Sequence, residues 1–171
     1  SKGNLLRKTA VTSWSKNTSE TTAYSYYLNG LKKHTTDASG IVALSTYENK
    51  GDYQKVTRSI ADLSEIHEYD SRFGVKTRFV DMNGHEHRKT YDDFGRLLTV
   101  SEPNEQGNLV EMESLSYQWV SDSRRGDLFK TNVVQLSGWS THKNVSSYTD
   151  VFGHKVKAQE SNQGNVFSEQ E

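Results

Sequence analysis

Cysteine is absent from the 171 residues, so no disulfide framework staples this chain and no thiol serves as nucleophile or metal ligand. That leaves the compartment open, because exported proteins can also lack cysteine. Proline occurs once, at Pro103. Neither charge sign dominates: Lys and Arg number 21 against 22 Asp and Glu, a formal net charge of -1. A sequence-wide electrostatic attraction to nucleic acid or anionic membrane is therefore excluded. The longest basic blocks are Lys32-Lys33-His34 and Arg124-Arg125. No apolar run approaches the ~20 residues of a membrane-spanning helix. There is no signal-peptide pattern. A start at Ser1 rather than Met reads as a piece excised from something longer.

Apolar residues are scarce, at 32%, with a mean hydropathy of -0.85, so any core must be thin. Aromatics are not scarce. Nine tyrosines and three tryptophans carry much burial area per residue, and a disordered chain would lack them. The chain is expected to fold, and to draw its stability from sheets, aromatic packing or neighbouring repeats.

Short alternating runs fill the chain. The even positions of Ala23-Tyr24-Ser25-Tyr26-Tyr27-Leu28 are large, while Leu115, Tyr117 and Trp119 share one face of 114–119. In Lys76-Thr77-Arg78-Phe79 both cations face away from Thr77 and Phe79. Period two in Tyr, Thr, Val and Trp predicts half-buried strands. Between 54 and 67, Val56, Ile60, Leu63 and Ile66 fall at helical spacing. Two strands joined at Ala61-Asp62 are the alternative, and the β-branched residues favour it slightly.

Most of the twelve glycines follow an Asp or Asn within four residues, the chemistry of hairpin turns, and at Asn29-Gly30 and Asn83-Gly84 they follow directly. Asp-x-x-Gly recurs four times, at Asp37–Gly40, Asp81–Gly84, Asp92–Gly95 and Asp150–Gly153. Three larger units begin with tyrosine: Tyr69-Asp70-Ser71-Arg72-Phe73-Gly74, Tyr91-Asp92-Asp93-Phe94-Gly95-Arg96-Leu97, and 148–156 with Tyr148, Asp150 and Gly153. The first two tyrosines lie 22 residues apart, with Asp81 and Gly84 midway. This is strand, turn, strand, turn. Each Asp caps its turn and each Gly supplies positive φ. The Tyr before the turn and the Leu or Val after it are expected to pack on one face. One unit cannot bury that face alone, so its neighbours must stack on it.

At these residues the chain resembles the RHS/YD-repeat family, whose core pattern is Tyr-Asp-x-x-Gly-Arg-Leu. Tyr91, Asp92, Gly95, Arg96 and Leu97 match every fixed position. The 148–156 copy departs, with Thr149 before its Asp and His154 in place of Arg, and the 69–74 copy carries one extra residue before Gly74. The resemblance is clearest over 66–104, weaker over 24–40 and 145–160, and 105–145 is recognisable only as strands. Similar spacing occurs in large bacterial RHS proteins, including the B components of insecticidal toxin complexes.

The resemblance implies an all-β fold in which antiparallel strand-turn-strand repeats form part of an RHS-type β-sheet ribbon spiralling into a shell. Residues 1–171 would be a single β-rich segment of a much longer secreted or cell-surface bacterial protein. Its structural positions would be Tyr69, Asp70, Gly74, Asp81, Gly84, Tyr91, Asp92, Gly95, Arg96, Leu97, Tyr148, Asp150 and Gly153. Its partners would be the rest of the same polypeptide, an enclosed toxic C-terminal cargo, and other toxin-complex subunits. No nucleic acid, membrane span or cofactor is implied. In animal relatives a similar barrel serves adhesion.

Catalytic constellations are expected to be absent. His85-Glu86-His87 offers two imidazoles at strand alternation but no third ligand at diagnostic spacing, so solvated residues flanking the Asn83-Gly84 turn are the simpler reading. His67-Glu68-Tyr69-Asp70 reads as a surface strand. There is no Gly-x-Ser-x-Gly and no phosphate-binding Gly-x-x-x-x-Gly-Lys loop. The self-cleavage motif that the family carries at the end of its shell has no match. Arg-Gly-Asp at Arg125-Gly126-Asp127 reads as a solvated turn rather than a receptor ligand. A carbohydrate- or host-surface-binding β module is the alternative function. It would use Trp14, Trp119 or Trp139 as stacking platforms, although a buried sheet face accounts for Trp119 more simply.

Overall fold

The computed structural model describes residues 4–13, 18–137, 140–162 and 165–170, with side chains described outside 11–18, 137–142 and 163–171. Trp14 and Trp139 lie outside the described residues. The fold is all-β, and the described residues contain no helix. The chain divides into two units, 1–85 and 86–171.

The first unit holds β1 (Arg7–Ser13), β2 (Thr18–Tyr26), β3 (Lys32–Thr36), β4 (Val42–Asn49), β5 (Tyr53–Ile60), β6 (Leu63–Asp70) and β7 (Lys76–Val80). Each strand pairs antiparallel with the next. The ambiguous 54–67 stretch is two strands, joined at Ala61-Asp62, with Ala61 at φ 52°. Register places Tyr47 opposite Val56, Val56 opposite His67, and His67 opposite Phe79. These side chains form one row across four strands, and β-branched and aromatic neighbours in such a row stabilise the pairing.

The second unit holds β8 (Glu86–Tyr91), β9 (Leu97–Pro103), β10 (Leu109–Asp122), β11 (Gly126–Ser137), β12 (Ser140–Thr149), β13 (Lys155–Asn162) and β14 (Asn165–Gln170), again each antiparallel to the next. Leu115, Tyr117 and Trp119 do share a face, opposite Val133, Thr131 and Phe129 in turn.

Among the described residues of each unit, the strands pack mainly against their sequence neighbours in a single layer. Hence little is buried. Among the described residues only Ala43 and Leu128 are fully buried hydrophobics. Leu128, 1% exposed, contributes about 2 kcal/mol from its burial. Most other strand side chains are half-covered, and Trp119 is 63% exposed, so the expected burial of Trp119 is not met. A single sheet shields a large side chain only by its lateral neighbours. Trp119 lies past Ser114, the last β10 residue paired with β9, so its cross-strand neighbour is Phe129 on the β11 side alone.

Candidate functional site

One loop geometry recurs at the strand ends. In the loop headed by Asp92, the Asp92 carbonyl accepts the Gly95 N–H at 3.0 Å, and the Asp92 N–H donates to the Arg96 carbonyl at 2.9 Å. Its Oδ1 accepts the N–H groups of Phe94 and Arg96, both at 2.9 Å. The same four bonds recur in the loops headed by Asp37, Asp81 and Asp150. A fifth is headed by Asn104, whose Oδ1 accepts from Gln106 and Asn108. That loop is Asn-x-x-Gly at the same spacing, a sequence signal that the Asp-x-x-Gly pattern does not include. Asp70 heads a loop one residue longer, its Oδ1 accepting from Arg72 and Phe73 and its carbonyl from Gly74. Asp70, Asp81, Asp92 and Asn104 follow one another at intervals of 11, 11 and 12 residues.

Geometry explains the residue types. An Asx side chain supplies an acceptor that spans two N–H groups, as a backbone carbonyl would. The loop closes on a residue at positive φ, which is the fourth for Gly84, Gly95 and Gly153, at 84°, 77° and 88°, and the fifth in the longer loop of Gly74, at 67°.

The residue after the glycine turns back onto the carboxylate. Arg96 Nε reaches Asp92 Oδ2 at 2.7 Å, while His85 and His154 place Nδ1 at 3.3 and 3.2 Å from the Oδ2 of Asp81 and Asp150. Histidine at 154 thus fills the place of arginine. Each of these carboxylates is held below the ordinary carboxylate range. For Asp81 and Asp150 the largest cause is the backbone N–H of His85 or His154. For Asp92 desolvation is the largest influence and opposes ionisation, but the Arg96 N–H, its guanidinium and the Phe94 N–H together outweigh it. At Asp70 the Arg72 side chain leads, and at Asp122 the Arg124 N–H.

The tyrosines are not equivalent. Tyr91 stands opposite Leu97, as expected of a Tyr and Leu on one face. Tyr69 stands opposite Lys76, whose ammonium lies 5.8 Å from the ring centre. In the third copy a register shift falls between Tyr148 and Thr149, so Tyr148 pairs with Lys157 and Thr149 with Lys155. Thr149, not Tyr148, therefore occupies the position that Tyr91 holds beside its loop. Tyr148 faces the other way, between Lys130 and Lys157, each 5.7 Å from its ring centre.

The second unit gathers its rings around Arg96. The guanidinium lies 4.5 Å from the Tyr117 ring centre, 5.1 Å from Phe94 and 5.6 Å from Phe129. Tyr117 donates its hydroxyl to the Leu97 carbonyl at 2.8 Å, and Trp119 meets Phe129 edge-on at 5.3 Å. Burial raises the Tyr117 phenol above its usual range, with Asp92 adding to this and Arg96 opposing it. Trp119 and Phe94, the latter 78% exposed, present their rings to solvent at this cluster.

The remaining sequence candidates are engaged locally. His85 belongs to the Asp81 loop, and His87 is bonded through Nδ1 to Glu102. His67 Nε2 lies 3.3 Å from Glu65, its ring against Phe79. Among the described residues no three His, Cys, Asp or Glu side chains gather as a metal-binding group. The Arg-Gly-Asp stretch forms the β10–β11 turn. There the Asp122 carboxylate accepts the Arg124 and Arg125 N–H groups, and Asp127 accepts the Ser121 hydroxyl at 2.7 Å.

No protein-family model and no curated protein matches the chain. The solved structure of TcdB2-TccC3 without its hypervariable C-terminal region is similar to it. The two are 13% identical, with a TM-score of 0.44, over 90% of this chain. This chain spans 10% of the length of that one. Among the described residues no helix is long and apolar enough to cross a membrane.

Proposed function

We propose that this chain is a structural RHS/YD-repeat segment of a large secreted or cell-surface bacterial toxin or toxin-complex protein. Its sheet would form part of the wall of a shell that encloses a toxic C-terminal cargo. The observation that carries this reading is the repeated loop. The same four hydrogen bonds close loops at Asp37, Asp81, Asp92, Asn104 and Asp150, and each loop joins strands that bury almost nothing by themselves. A sheet so built gains from each further repeat laid beside or over it. Its role is mechanical, without catalysis. Its partners are the rest of its own polypeptide, the enclosed segment, and other subunits of a toxin complex. An antibody raised against this chain tests the reading: a natural product above ~100 kDa, several times the usual domain size, is expected. A product near 19.4 kDa would sink it.

A carbohydrate- or host-surface-binding module is the second reading, and it is favoured by exposed Phe94 beside Arg96 and exposed Trp119 against Phe129. Aromatic faces beside a cation stack on sugar rings. Glycan-array binding that disappears in Trp119→Ala would move this reading ahead of the first.

A further inference from the structure

We propose that the second unit carries a docking groove for an extended basic peptide from another polypeptide, one that alternates Lys or Arg with apolar residues. The groove is built from three successive strands, with Pro103 from β9, Leu109, Val110 and Met112 from β10, and Leu136 from β11 supplying apolar surface. Three carboxylates, Glu102, Glu105 and Glu111, line it too, and among the described residues no Lys or Arg does.

Two observations show that this acidity is available. Glu102 is engaged by His87, but neither Glu105 nor Glu111 forms an ion pair among the described residues. On the neighbouring strands Arg88 is paired with Glu86 and Lys143 with Glu160. In a chain whose charges otherwise balance, this groove has a charge complement still to be met.

The apolar half of the groove is also displayed. The β9–β10 register shifts between Glu111 and Glu113, which leaves Met112 as the extra residue of a bulge. Bulges re-aim side chains, and a flexible thioether adapts to varied partners. Met112 and Leu109 are 38% and 39% exposed. An aliphatic side chain seated on Met112 and Leu109 places its neighbouring ammonium groups within reach of Glu105 and Glu111. Desolvating the aliphatic part gives affinity, while the carboxylates select the charge and speed encounter.

The test uses the whole chain and a dye-labelled hexapeptide of alternating Lys and Leu, followed by fluorescence anisotropy at low salt, with the Glu-Leu hexapeptide as comparison. The Lys-Leu peptide is expected to bind and the Glu-Leu peptide not to. Glu105→Lys with Glu111→Lys should weaken binding at least tenfold, and Met112→Ser at least threefold. Asp52→Lys with Asp62→Lys, the same charge change in the first unit, should leave it within twofold. Should a lysine variant lose its β-sheet circular dichroism, Glu105→Gln with Glu111→Gln replaces it, with the same loss expected. Absence of binding, an equal loss in both charge-reversed pairs, or indifference to Met112→Ser would each overturn the proposal.

Discussion

Arg96 Nε donates to Asp92 Oδ2 at 2.7 Å while the same guanidinium lies 4.5 Å from the ring centre of Tyr117, twenty-one residues further along. One side chain thus ties a local loop to a strand two places away. The arginine of the Tyr-Asp-x-x-Gly-Arg-Leu pattern acts in both links. His154, on an otherwise identical loop, serves the first, and the ring it meets is the adjacent Phe152.

The two loops should therefore respond differently to substitution. Arg96→Ala removes stacking worth about 1 kcal/mol, and the melting temperature should fall by about 3 °C for a chain of this size. His154→Arg should preserve its loop and leave the melting temperature unchanged or slightly raised. An unchanged melting temperature in Arg96→Ala would show that Tyr117 and Phe129 gain nothing from Arg96.

Gly153 has φ 88° and nothing within 4 Å of where a Cβ would stand, so any cost of substitution there is backbone strain alone. Gly153→Ala should destabilise by about 1–2 kcal/mol, and Gly153→Asn by less, since Asn tolerates the left-handed region better. Gly95→Val should cost more than ~1 kcal/mol for the same reason. Denaturant midpoints at constant m-value would measure these losses, and indistinguishable midpoints for Gly153→Ala and the parent chain would refute the strain.

The converse holds at Ala61, whose φ of 52° places a non-glycine residue in the left-handed region at the β5–β6 turn. Ala61→Gly should stabilise by about 0.5–1 kcal/mol, because relief of the left-handed strain exceeds the added flexibility of the unfolded chain. A lowered melting temperature would mean that the turn adopts another conformation in solution.

Asp70, Asp81, Asp92, Asp122 and Asp150 are all held below the ordinary carboxylate value. A carboxyl whose folded pKa is depressed contributes stability above its unfolded pKa of about 3.9 and loses it as pH falls through the folded value. Urea midpoints should accordingly be flat in this respect from pH 7 to about 5 and fall below about pH 4. Asp150→Asn, which retains an acceptor as Asn104 does, should reduce the steepness of that fall. An acid limb of unchanged slope would exclude Asp150 as a contributor.

Much of the local structure was legible because it is closed by short-range chemistry. A loop whose hydrogen bonds all fall within five residues announces itself as Asx-x-x-Gly, and alternating Tyr, Thr and Val announce the strands that flank it. Even the Asn104 loop was legible, since Asn offers the same Oδ1 acceptor as Asp. The helical spacing of Val56, Ile60, Leu63 and Ile66 was the exception. There the β-branched residues and cross-strand partners prevailed, placing Ile60 opposite Leu63 and Thr57 opposite Ile66.

By itself the sequence determined the all-β class, the aspartate-headed turns and the glycine conformations, because each depends on a residue and its immediate neighbours. Only the tertiary structure decided that Arg96 rests on Tyr117 and Phe129, that Trp119 faces solvent, and that Glu105, Glu111 and Met112 line one groove. Register shifts and contacts between distant strands set these features. A single extra residue in a ladder turns every following side chain to the opposite face, and no local pattern encodes where that residue falls.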